Sequence, residues 1–223
     1  MELRAVRSFV RRAGRMTDAQ QRALLDLWPR YGVPAGDEPL QLAILFGRDA
    51  PCTLEVGFGN GDHLAARALA EPQRNFLGVE VHRPGIGHLL RLAAAGSLAN
   101  LRVIEQDAVE VLRSRIAPEA LDEAQILFPD PWPKKRHHKR RLVQPDFAVL
   151  IASRLRRGGR LQLATDWAPY AQHMRLVLDA CPSLAPLALR ADEGRAAREA
   201  TRFEQRGLRL GHAVCDLVYA RAG

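Results

Sequence analysis

Short apolar runs at residues 53–56, 76–80, 101–105, 124–128 and 160–165 have the length and composition of buried strands. The Ala- and Leu-rich stretches between them carry helical spacing. Strand alternating with helix predicts a parallel sheet covered on both faces. Beyond Pro182 the pattern changes. Residues 184–189 and 213–220 read as two last strands, the final one alternating as Val214, Asp216 and Val218, which predicts an antiparallel end. The expected fold class is α/β, with a mostly parallel seven-stranded sheet.

Residues 1–16 contain Arg4, Arg7, Arg11, Arg12 and Arg15 and too few apolar side chains for a core element, so they read as a basic arm. Thr17 followed by Gln20 has the spacing of a capping box, and Leu24, Leu27 and Trp28 share one helical face. Pro29 is expected to stop that helix, which packs on the main domain. The stretch Pro34-Ala35-Gly36-Asp37-Glu38-Pro39 is the most loop-like in the chain. The expected organisation is an arm plus a short helix over residues 1–39 and one α/β domain over residues 40–223.

Composition narrows the functional classes. At 223 residues and 47% hydrophobic content, the chain supports a single core. A formal net charge of +8 suits a polyanionic partner. Cys52, Cys181 and Cys215 are odd in number and widely spaced, which supports neither a disulfide framework nor a zinc site and fits a reducing cytoplasm. The histidines show no metal-ligand spacing, so no metal is expected, and His63, His82, His88, His173 and His212 read as surface or hydrogen-bonded residues. No apolar run approaches the roughly 20 residues that span a bilayer, so no membrane partner is expected. No interface signature chooses between a monomer and a homodimer.

Candidate chemistry enters with the first strand, which runs into Glu55-Val56-Gly57-Phe58-Gly59-Asn60-Gly61. Glycines there allow a sharp turn and close approach of a cofactor. The dinucleotide fingerprint would place its third glycine at residue 62, where this chain has Asp62, a poor neighbour for a pyrophosphate. Glu55 suits a cationic group, Glu80 at the end of the next strand suits ribose hydroxyls, and Asp107 follows the third strand. S-adenosylmethionine, with an amino group, a sulfonium, a ribose and an adenine but no phosphate, matches Glu55, Gly57, Gly59, Gly61, Glu80 and Asp107.

The fourth strand feeds into Phe128-Pro129-Asp130-Pro131-Trp132-Pro133, followed by Lys134-Lys135-Arg136-His137-His138-Lys139-Arg140-Arg141. Pro129 ends the strand and leaves Asp130 at its carboxyl edge, where open α/β sheets bind ligands. A carboxylate there is a candidate reacting group; the plainer reading is a turn cap. The cationic run beside it, Lys135, Arg136, Lys139, Arg140 and Arg141 among its members, reads as a phosphate-binding surface, with Arg11, Arg12 and Arg15 of the arm as further RNA contacts. Taken alone such a run is as often a solvated face. Trp132 either stacks on a base or closes the pocket.

These residues resemble the bacterial tRNA (guanine-N7-)-methyltransferase family. The resemblance covers nearly the whole chain. It rests on Arg7-Ser8-Phe9-Val10-Arg11-Arg12, Leu54-Glu55-Val56-Gly57-Phe58-Gly59, Gly78-Val79-Glu80-Val81-His82, Phe128-Pro129-Asp130-Pro131-Trp132, Lys139-Arg140-Arg141, Thr165-Asp166-Trp167, Thr201-Arg202-Phe203-Glu204 and Arg209-Leu210-Gly211-His212. It implies a class I methyltransferase, Rossmann-like fold and transfer of a methyl group from S-adenosylmethionine to N7 of guanosine 46 in the variable loop of tRNA. It also implies that Asp130 is both cofactor contact and catalytic acid, and that Lys134, Asp166, Thr201, Arg202, Phe203 and Glu204 bind substrate. The family usually has Lys where this chain has Arg202, which keeps the charge and alters donor geometry.

Other readings share parts of the pattern. A base-amino methyltransferase acting on RNA or DNA would use the same cofactor turn, but fits Trp132 and the basic run poorly. A nicotinamide-dependent oxidoreductase would need the missing third glycine. A non-catalytic RNA-binding subunit would keep the fold and not need the acidic set.

Overall fold

The computed structural model describes Phe9, residues 15–187 and residues 213–223. Within them, β1 (Cys52–Val56), β2 (Asn75–Val79), β3 (Leu101–Ile104), β4 (Leu121–Leu127), β5 (Leu155–Thr165), β6 (Leu184–Pro186) and β7 (Cys215–Arg221) form one sheet in the order β3-β2-β1-β4-β5-β7-β6. Pairing is parallel from β3 through β5, and β7 runs antiparallel to β5 and to β6. β1 and β2 are buried at every position, as strands covered on both faces must be.

Two departures from the sequence reading have local causes. β5 begins at Leu155 rather than residue 160, because Leu121 pairs with Leu155 before a register shift brings Glu123 opposite Arg160. Gly158, at φ 72°, lies within that shifted stretch. Nor does Pro29 end the first helix. α1 (Asp18–Asp26) gives way at Leu27, and Pro29 sits in the first turn of α2 (Trp28–Tyr31), where a missing N–H breaks no helical bond. The capping box does form: Gln20 N–H donates to Thr17 Oγ1 (3.3 Å) and Thr17 N–H to Gln20 Oε1 (2.9 Å).

The in-register rows Thr53, Phe76, Leu101 and Glu55, Gly78, Val103 lie on one face of the sheet. There Phe76, Leu101 and Val103 pack under Leu24 of α1, Leu64 and Ala68 of α4 (Asp62–Ala70), and Ile86, Leu89 and Leu90 of α5 (Arg83–Ala95). The opposite face is apolar across the sheet, with Leu54, Leu77, Ala124, Ile126, Leu161 and Leu163. Against it lie α3 (Leu42–Phe46), α6 (Ala108–Glu110) with the π-helical turn Val111–Arg115, α7 (Pro145–Arg154) and α8 (Ala168–Asp179). The first face turns polar over β4 and β5. Arg67 of α4 holds Glu123 through both terminal guanidinium nitrogens (3.1 Å each), and Gln125 Nε2 donates to Glu123 Oε1 (3.0 Å) and Gln162 Oε1 (2.9 Å).

Residues 17–40 are stitched into this body. Gln20 Nε2 donates to the Pro84 carbonyl (3.0 Å), the buried Tyr31 hydroxyl to the Ala93 carbonyl (3.0 Å), and Leu40 N–H to the Arg115 carbonyl (2.8 Å). Among the described residues, no helix is long and apolar enough to cross a membrane.

Candidate active site

Strand order reverses at β1, whose neighbours are β2 and β4, so the crevice beyond its carboxyl end is the topological switch point. The turn leaving β1 passes through Gly57, Gly59 and Gly61 at φ 71°, 59° and 77°. At Gly59 the positive φ disfavours any other residue, and a Cβ built there would meet no atom within 4 Å, so the backbone lies open to a ligand. The other side of the turn is closed: a Cβ at Gly85, in the first turn of α5, would stand 1.9 Å from the Gly59 carbonyl oxygen.

Glu80 fastens the turn to the end of β2. Its Oε2 accepts from Gly59 N–H (2.9 Å), and its Oε1 accepts from Val81 N–H (2.6 Å) and His82 N–H (2.9 Å). A carboxylate offers about four acceptor positions, so these three bonds leave room for one hydroxyl. Asp107 caps α6, its Oδ1 accepting from Val109 N–H (2.8 Å). Glu55 is 3% exposed, and its Oε2 lies 3.0 Å from Nδ1 of His63, in the first turn of α4. Glu55 and Glu80 thus flank the turn and Asp107 lies beyond the carboxyl end of β3 on the same edge of the sheet, each already engaged by protein.

Asp130 follows β4 as expected, exposed to solvent. Phe128 and Trp132, at φ 53° and 44°, bend the loop on either side of it. Phe128 N–H donates to the Ala164 carbonyl (2.8 Å), which ties the loop's start to β5. Asp166 follows the end of β5, half-buried, on the same edge of the sheet.

The basic run folds into a 3-10 helix, Lys135–Arg140, around Trp132. The Arg140 guanidinium lies over the indole at 5.1 Å, and His137 meets it edge-on at 5.7 Å. Trp132 therefore serves as the platform of the basic turn. Desolvation, then the cations Arg136, Arg140 and Lys134, holds the His137 imidazole below its usual pKa. Lys134, Lys135, Arg136 and Lys139 are exposed.

Arg141, expected among the RNA contacts, is instead 4% exposed. Its Nε–H donates to the Pro131 carbonyl (3.0 Å), and its guanidinium lies 4.9 Å over the Tyr170 ring. Burial pulls its pKa down, and burial likewise pushes the Tyr170 hydroxyl up to about 12. The residue next to Asp130 is thus braced from inside. Sequence reasoning missed this because burial alone separates Arg141 from its neighbours, and it missed His63 because a partner eight positions away at a strand end leaves no periodic signal. Arg15 is exposed, whereas Arg11, Arg12, Thr201, Arg202, Phe203 and Glu204 lie outside the described residues.

Residues 49–217 match the family described as "Putative methyltransferase". The chain is 53% identical to the tRNA (guanine-N(7)-)-methyltransferase of Alkalilimnicola ehrlichii, over 98% of this chain and 93% of that one. It is 51% identical to the protein of the same name from Klebsiella pneumoniae, over 98% and 92%. Among solved structures, the 16S rRNA methyltransferase KamB superposes with a TM-score of 0.58 at 16% identity, covering 95% of this chain and 97% of that one. At that identity the likeness is one of fold.

Proposed function

The chain belongs to the tRNA (guanine-N(7)-)-methyltransferase family, and from that premise we propose that the crevice between the β1 turn and the Asp130 loop methylates guanine N7 in tRNA. S-adenosylmethionine supplies the methyl group, carried on a sulfonium. The site fits that molecule: Gly57 and Gly59 open onto free space, and Glu55, Glu80 and Asp107 offer carboxylates to an ammonium, a ribose and an adenine.

The observation that carries the catalytic reading is the exposed Asp130 carboxylate on a braced loop beside this turn. Guanine N7 presents a lone pair at the base edge, so no proton leaves before it attacks. A general base is not required. Positive charge moves onto the purine during transfer, and Asp130, with Asp166 at the neighbouring strand end, stabilises it. Lys134 and the segment Thr201–Glu204 hold the guanosine and its strand, while Lys135, Arg136, Lys139 and Arg140 bind phosphates, with Arg11, Arg12 and Arg15 extending that surface. The target is guanosine 46 of the variable loop, and the protein works in the cytoplasm. Asp130→Ala is expected to slow single-turnover methylation by about 10²-fold or more, with tRNA affinity and thermal midpoint kept. A wild-type rate in that variant would remove Asp130 from the reaction.

A further inference from the structure

We propose that His63 positions Glu55 to read the ammonium at the amino-acid end of the cofactor. The inference rests on the reading of Glu55 given above and assigns a role to a residue outside the expected site. Glu55 is the penultimate residue of β1 and stands in register with Gly78 on β2 and Gln125 on β4. Its side chain is 4% exposed and that of His63 3%. Among the described residues, the His63 ring makes its only hydrogen bond.

With Glu55 as a carboxylate, the proton of that contact sits on His63 Nδ1. The bond fixes Oε2 and so fixes the rotamer, leaving Oε1 for a second donor. Among the described residues, no arginine supplies that donor. Arg67, one turn further along α4, is committed to Glu71 (2.8 Å) and to Glu123 (3.1 Å). A carboxylate this deeply buried calls for a countercharge, and a ligand ammonium provides one.

His63 Nε2 is buried without a hydrogen-bond partner, and so is Oε1 of Gln125, the β4 residue beside Glu55. Buried polar atoms are rarely left unsatisfied, and a histidine kept for packing alone would satisfy both ring nitrogens. With Nε2 unpartnered, the contact to Glu55 is the one hydrogen bond that the His63 ring makes among the described residues, so the imidazole is oriented by that carboxylate. His63 is held there by the turn itself. It follows Gly61, the N-cap of α4, where a Cβ would come within 2.8 Å of Leu89, so the turn that receives the cofactor also sets the imidazole.

The test compares two ligands on the purified full chain by calorimetry: S-adenosylhomocysteine, which has the amino-acid end, and 5′-methylthioadenosine, which lacks it. His63→Ala is expected to lose about tenfold affinity for the first, the scale of one hydrogen bond to a charged group, and to bind the second as the wild type does. In turnover, the KM for S-adenosylmethionine rises and kcat holds. His63→Asn restores the preference, because its amide N–H reaches the place of Nδ1. If the alanine variant does not fold, the asparagine variant decides, and its loss of the preference overturns the proposal. Equal weakening of both ligands overturns it, as does unchanged affinity for S-adenosylhomocysteine. A wild type that binds both ligands equally overturns it through Glu55, while label in 7-methylguanosine would still uphold the methylation reading.

Discussion

The Asp130 loop is held by groups buried behind it. Pro131, next after Asp130, gives its carbonyl to the buried guanidinium of Arg141, which lies in turn over Tyr170, whose hydroxyl accepts from Val143 N–H (3.3 Å). Lysine cannot reproduce a planar donor that also stacks on a ring. Arg141→Lys is therefore expected to cost about 1.5–3 kcal/mol in chemical denaturation and to lower kcat, with the salt dependence of tRNA binding unchanged. A reduced salt slope would instead place Arg141 on phosphate. Asp130 was legible in the sequence because flanking prolines and a preceding apolar run fix it at a strand end. Arg141 was not, since six of the eight residues 134–141 are Lys or Arg and only packing shows which one turns inward.

Elements set the site's shape through close approaches. α5 meets the glycine turn with no room for a side chain, so Gly85→Ala is expected to push the two apart. That costs about 1–3 kcal/mol of stability and weakens cofactor binding, as denaturation and calorimetry would register; an unperturbed variant would mean that the turn yields freely. The 3-10 helix makes a separable prediction. Lys139→Ala should lower the slope of log affinity against log salt by about 0.7–0.9. Arg140→Ala should do the same and also change Trp132 fluorescence, because its guanidinium lies over that ring. Unchanged slopes would mean that both side chains merely face solvent. The central strands were readable because burial on both faces demands continuous apolar runs. The start of β5 was not, because Leu155-Arg156-Arg157-Gly158-Gly159 reads as a turn and becomes strand only through pairing with β4.

The molecule carries a net charge of +8, and the helix that follows the basic arm packs into its body, as its apolar face predicted. Leu24 and Tyr31 are core residues, and α1 covers α5. A chain beginning at Leu40 would expose that face. Each large buried side chain contributes about 1.5–3 kcal/mol, against a typical total near 5–15 kcal/mol, so the shortened chain is expected to melt well below the full one or to aggregate. Equal midpoints in scanning calorimetry would show that residues 1–39 are dispensable to the fold. The fold class, the acids at strand ends and the packing of the first helix on the main domain were legible in the sequence, because strand ends, glycine spacing and an apolar helical face are local features; the partners that α1 meets and the bracing of the Asp130 loop are long-range and were not. Unmodified tRNA transcript would be incubated with the protein and methyl-labelled S-adenosylmethionine, then digested to nucleosides. The label is predicted to appear in 7-methylguanosine, and label in any other nucleoside, or none at all, would contradict the account.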